Sequence, residues 1–171
     1  RYLVFTRASG GNEVNQLYRL DLDSGAETLL TAPDQRHSFS GWLPGRQRIV
    51  VASVPVDRTA AGGTRSQIST TLSLVNPLQP QQRETLAELP GGGWFDADVS
   101  PDEKTLAIVR YESAAVSEVW LVDLAAGPGQ GQRRRILPAP GQTLQASHFV
   151  SGWTPDGRAL LFTSNRASEF E

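Results

Sequence analysis

The sequence predicts an all-β chain, a partial β-propeller of about three and a half four-stranded antiparallel blades. Three observations predict it. The 16 glycines and 11 prolines of the 171 residues fall between short apolar runs, as turns between strands do. No stretch carries a capped helical stripe; Glu84 to Leu89 comes nearest and stops at Pro90. Two sequence markers recur in fixed order with a period of about 50 residues, as in repeat architectures.

The first marker is a strand running into a proline turn. It reads Gly41-Trp42-Leu43-Pro44-Gly45-Arg46, then Asp98-Val99-Ser100-Pro101-Asp102-Glu103, then Gly152-Trp153-Thr154-Pro155-Asp156-Gly157. Five positions past each proline stands a large apolar residue: Ile49, Leu106 or Leu160. The second marker is a strand closing on an acid or amide: Leu17 to Leu22, Leu72 to Pro77 and Val119 to Leu124, with Asp21, Asn76 and Asp123 at the same place. A short strand follows each, at 27–31, 83–87 and 133–137.

In chain order the expected strands are 2–7, 16–22, 27–31, 38–42, 47–54, 68–75, 83–87, 95–99, 104–111, 117–123, 133–137, 148–153 and 159–164. Each four-stranded sheet has two faces to cover, and stacking sheet on sheet covers them. Packed radially, such sheets form a propeller. Lettering the strands of a blade A to D outward from the axis, the proline turn joins A to B and the Asp/Asn strand is C. Strand 2–7 is then a B strand without its A, and 148–164 an A–B hairpin without C and D. The expected blades are 1–36, 37–92, 93–146 and 147–171, all within one propeller domain. The start at Arg1, just before an apolar run, suggests that processing or truncation removed what preceded it.

Composition narrows the function. At 39% hydrophobic residues the chain can build a core. Its formal charge of −2 offers no basic field for nucleic acid or an anionic membrane, so neither is an expected partner. The longest apolar runs, such as Ile49 to Ala52, fall far short of the roughly 20 residues of a membrane helix. Without cysteine there is no disulfide, thiolate nucleophile or Cys-ligated metal. No Gly-x-Ser-x-Gly elbow, His-Glu-x-x-His motif, phosphate loop or dinucleotide fingerprint occurs. The expected sets of catalytic, cofactor-binding and metal-ligating residues are therefore empty, and no cofactor is expected.

Several residues still need a reading. In the proline turns Pro presets φ, Asp bonds a backbone N–H two residues on, and Gly accepts positive φ. Glu103 and Arg46 stand where Gly157 does, so those two turns should be less relaxed or avoid positive φ. Asp21 and Asp123 are expected to cap turns. His37 and His148 share one repeat position, which Trp94 fills in the third blade, and are expected to be structural. Trp42 and Trp153 should fill space between blades. Gly91-Gly92-Gly93 reads as an interblade turn, Arg133-Arg134-Arg135 as a largely solvated strand, and 57–67 as a polar loop. Asp96 and Asp98, two apart in a strand, should face one side as paired carboxylates. Such a pair is the feature a carbohydrate-active enzyme would need.

The ordered set of motifs resembles the N-terminal β-propeller of the prolyl oligopeptidase family of serine peptidases, nearest its bacterial acylaminoacyl-peptidase-like and dipeptidyl-peptidase-like members. The stretches that carry it are Gly10-Gly11-Asn12-Glu13 with Gln16 to Leu22, Gly91-Gly92-Gly93-Trp94-Phe95, Ser100-Pro101-Asp102, Val119 to Leu124, and Ser164 to Phe170. The resemblance implies a propeller that covers an α/β-hydrolase domain of the same parent chain and limits its substrates to short peptides or acyl-peptides. The nucleophile would lie in that domain, absent here, and the chain by itself would be inactive. Some family members hold a substrate amino terminus with propeller glutamates; Glu13, Glu112 and Glu169 do not match that role. The runner-up is a TolB-like or WD-repeat-like interaction module. The partners implied are the hydrolase domain, a peptide substrate and, through cut blades, a second copy. The compartment stays open, with cytoplasm slightly favoured over periplasm.

Overall fold

The computed structural model describes residues 1–8, 14–57, 67–126, 131–142 and 146–166. The chain divides into two compact units, Arg1–Gly92 and Gly93–Glu171. The first unit holds two antiparallel sheets. One has β1 (Tyr2–Ala8), β2 (Asn15–Asp21) and β3 (Glu27–Leu29) in that order; the other has β4 (Gln35–Leu43), β5 (Arg48–Pro55), β6 (Ser69–Asn76) and β7 (Gln79–Pro90). The second unit holds β8 (Trp94–Val99), β9 (Thr105–Ser113), β10 (Val116–Asp123) and β11 (Arg133–Leu137) as one antiparallel sheet. Beside it lies the hairpin of β12 (His148–Trp153) and β13 (Leu160–Ser164). The only helix among the described residues is a single 3-10 turn, Pro44–Arg46.

All thirteen expected strands form. The inner strands explain why their apolar runs are continuous rather than alternating. Ile49 to Ala52 of β5 and Leu106 to Val109 of β9 are buried on both faces of their sheets. Each valine, leucine and isoleucine among them contributes about 1.5–3 kcal/mol relative to exposure. In the first unit Leu17, Leu30, Ile49, Val51 and Val75 close into one cluster that takes in Val4. In the second, Ala107, Val109, Val119 and Val150 do the same, with Phe95, Leu121, Trp153 and Leu160 against them.

Two strands outgrow their expected limits by three residues or more at one end. β4 begins at Gln35, because Arg36 and His37 continue the pairing with Val54 and Ser53. β7 spans Gln79–Pro90, an edge strand in which Pro80 and Pro90 are tolerated because one side of its ladder is free.

Each strand that enters a proline turn is bulged. The register slips between Phe39 and Gly41, between Phe95 and Ala97, and between Val150 and Gly152. The extra residues are Ser40, Asp96 and Ser151. A bulge bends its strand and re-aims one side chain, and Asp96 carries this furthest, at φ 51°.

Candidate functional site

The chemistry-bearing residues of the second unit gather where β8 meets β12. In the hairpin, Asn165 N–H bonds Ser147 O and Thr154 N–H bonds Ala159 O, which with the strand register fixes the alternation of the ladder. Val150 and Trp153 therefore turn their N–H groups away from β13. Asp98 Oδ2 accepts from Trp153 N–H at 2.8 Å, and the Asp98 carbonyl accepts from the Trp153 indole Nε1 at 3.2 Å. The Asp96 carboxylate accepts from Val150 N–H. The two acids thus cap the open edge of β12. The space is tight: a Cβ at Gly152 would lie 3.1 Å from Asp98 Oδ2, and Gly152 sits at φ 137°.

Asp96 and Asp98 are expected as paired carboxylates on one strand side; both do reach β12, but each serves a backbone N–H of its own, and a bulge at Asp96 lies between them. Burial raises the Asp96 pKa above the ordinary carboxylate value and the bond from Val150 only partly opposes it. Its Oδ2 is enclosed and has no partner.

The proline turns share a second device. Asp102 Oδ1 accepts from the Ser100 hydroxyl at 2.7 Å and from Lys104 N–H at 3.1 Å; Ser100 Oγ accepts from Thr105 N–H at 2.9 Å. Asp156 repeats the set with the Thr154 hydroxyl at 2.6 Å, Arg158 N–H at 3.1 Å, and Ala159 N–H on Thr154 Oγ1 at 3.0 Å. These bonds, the hydroxyl first, lower both carboxyl pKa values. The sequence carries the signal for it, a hydroxyl residue directly before each Pro-Asp. Glu103 takes φ 57°, in the same slot where Gly157 takes 69°, so the turn keeps its positive-φ form without glycine. Leu43-Pro44-Gly45 has neither hydroxyl nor carboxylate, and that turn becomes 3-10 with Gln47 at φ 52°.

Between the turns lies an open cleft of about 410 Å³, lined by Pro101, Asp102, Thr105, Trp153 and Asp156. A neighbouring cleft of about 360 Å³ shares Thr105 and Trp153 and reaches Leu121, Asp123 and Arg134. Trp153 is therefore a lining residue as well as a filler. Both clefts are lined by Trp153; Asp102 and Asp156 line the first, and Asp123, Arg133 and Arg134 the second. That set can hold a polar chain.

The remaining residues make the following local contacts. Asp21 bonds the N–H groups of Asp23 and Ser24 and the Ser24 hydroxyl, which depress its pKa, the Ser24 N–H most. Asp123 bonds Ala125 N–H, and Asn76 bonds Leu78 N–H. His37 is buried between Ser53 Oγ and the Ala32 carbonyl, each at 2.8 Å. His148, equally buried, has no partner at either ring nitrogen and meets the Phe162 ring at 5.8 Å. Burial pulls both histidines below their ordinary pKa. Trp42 packs near Tyr2, ring centroids 6.0 Å apart. Gly91 carries a turn at φ 76°, its N–H on the Ile68 carbonyl. Arg135 bonds Glu118, which also accepts from Trp120 and lies near Arg110. Burial works against the charge on Glu118, but these donors outweigh it and its pKa falls. Glu112 pairs with Arg110 at 3.6 Å. Glu13, Glu169, the core of the 57–67 loop and the Ser168-Glu169-Phe170 motif lie outside the described residues. Among the described residues no group of three or more His, Cys, Asp or Glu is placed to hold a metal ion.

No family model and no curated protein sequence matches the chain. Solved structures do. TolB from Acinetobacter baumannii superposes with a TM-score of 0.63 at 20% identity, over 99% of this chain and 37% of that one. A prolyl endopeptidase gives 0.64 at 15%, over 96% and 23%. An oligogalacturonate lyase gives 0.64 at 13%, over 96% and 47%. The chain spans less than half the length of each. What they share with it is the fold, so the four sheets are blades and the chain is a partial β-propeller with the architecture of these proteins.

Proposed function

We propose that this chain is the part of a propeller that gates a serine peptidase acting on short peptides or acyl-peptides. In this reading it is one propeller domain, with blades at 1–36, 37–92, 93–146 and 147–171. It shapes access and binding surface, while the serine nucleophile and its base belong to an α/β-hydrolase domain of the same parent chain. One observation carries the reading: the motifs that resemble the peptidase propeller occur in order along a chain whose fold matches a prolyl endopeptidase over 96% of its length. The clefts that Trp153 helps to line suit a peptide, which offers both backbone polarity and apolar side chains.

A second reading, a TolB-like interaction module, is favoured by the match to TolB over 99% of the chain. The natural full-length gene product separates the two. A fluorophosphonate probe is expected to label one serine, within a Gly-x-Ser-x-Gly segment downstream of this region. A full-length product without that segment and without labelling would overturn the peptidase reading in favour of the module.

A further inference from the structure

The two acids that cap β12 do so on different terms. Asp98 spends Oδ2 on Trp153 N–H. Asp96 accepts from Val150 N–H, while its own Oδ2 is enclosed and has no partner. Being already enclosed, that oxygen has no open side that further chain could reach. Asp96 is the extra residue of the bulge between Phe95 and Ala97, at φ 51°, and the bulge aims its carboxyl at β12. No cation answers its charge among the described residues. Arg110 of β9 pairs with Glu112 and Glu118, and His148 of β12 meets the Phe162 ring. β13, Leu-Leu-Phe-Thr-Ser, carries no charge. Burial and the Val150 N–H, acting in opposite directions, are what the Asp96 carboxyl feels.

We propose that Asp96 is a proton-operated latch on the seam between β8 and β12. The closed seam favours the neutral carboxyl, because a carboxylate there has an enclosed oxygen with neither donor nor counter-ion. Opening the seam hydrates the carboxylate, and the proton leaves to solvent. Acid therefore holds the seam shut and alkali eases it open. The sign follows from linkage: burial raises the closed-state pKa above 3.8, so the stabilisation is full below 3.8 and is lost as pH rises through the closed-state value. His148, on the same strand, acts in the opposite sense, since burial lowers its pKa and acid loosens it. The inference does not depend on the peptidase reading.

Hydrogen–deuterium exchange of the full-length natural protein, read by mass spectrometry over peptides spanning β12, tests it. Protection is measured between pH 7 and about 4 and corrected for the intrinsic pH dependence of exchange. Asp96→Asn keeps an acceptor for Val150 N–H and tolerates positive φ, but has no proton to release. At pH 7 the variant is expected to protect β12 better than the wild type. The ratio should fall toward one in acid, by about tenfold in all for each unit by which closing raises the Asp96 pKa. His148 titrates in both proteins and cancels in the ratio. A ratio that stays constant, or grows as pH falls, overturns the proposal. A second series leaves Asp96 in place on a His148→Phe background. There β12 is expected to gain protection as pH falls, and protection that stays flat or declines overturns the proposal as well.

Discussion

His37 and His148 occupy the same place in two blades, yet their rings face different chemistry. His37 satisfies both nitrogens, on Ser53 and Ala32, while His148 satisfies neither and faces the Phe162 ring, with Arg166 adding like charge. A histidine whose folded pKa is depressed takes up its proton more readily when unfolded. Stability is therefore full above the ordinary value of 6.5 and falls as pH drops through it. The turn carboxylates act in a separate, lower window, since the depressed pKa values of Asp21, Asp102 and Asp156 matter only from about 3.8 downward. His148→Phe, which restores the aromatic type that Trp94 supplies at this position, is expected to reduce the stability loss between pH 7 and 5 without loss at neutral pH. An unchanged slope in thermal melts over that range would contradict this. His37→Phe, by contrast, should cost about 1–3 kcal/mol at neutral pH, because Ser53 and Ala32 lose their partner in a buried site. Backbone strain gives a further test. Glu103→Gly should raise stability by about 1 kcal/mol, since Glu103 holds φ 57° where glycine has no Cβ penalty; urea melts of the pair would read it.

At the scale of elements, the edge of β12 depends on β8. Asp98→Ala leaves Trp153 N–H without an acceptor in a tight site and should cost about 1–3 kcal/mol; Asp98→Asn keeps an acceptor and should recover most of it. Equal losses for both, measured by denaturant melts, would mean that the carboxylate charge, not the bond, matters. The strand order was readable because its causes are local: apolar runs such as Ile49 to Ala52, proline turns, and acids that bond the next N–H groups. The bulge at Asp96 was not. A one-residue slip leaves no mark in composition, and the alternation rule carries no warning of it. Glu103 takes positive φ, so its turn is the less relaxed of the two forms expected. Asp102, Ser100 and Lys104 build enough of the turn to hold a non-glycine residue at positive φ. The candidate clefts were invisible for another reason. Thr105, Arg134 and Trp153 come together only through the packing of two sheets.

For the whole molecule, the motif order pointed to the propeller, and that fold is shared with TolB and with two enzymes of different reactions, a prolyl endopeptidase and an oligogalacturonate lyase. Fold alone therefore does not set the function. The 171-residue chain alone is expected to hydrolyse no chromogenic peptide or acyl-peptide. Turnover that survives purification and is abolished by a serine-directed inhibitor would contradict that. The central claim is that this propeller restricts a peptidase to short substrates. It is tested most directly by measuring kcat/KM of the full-length natural protein on a series of peptides of rising length that share one cleavable bond. The account predicts efficient cleavage of the shortest members and a steep fall as length grows. A rate independent of length, or no hydrolysis of any member, would contradict it.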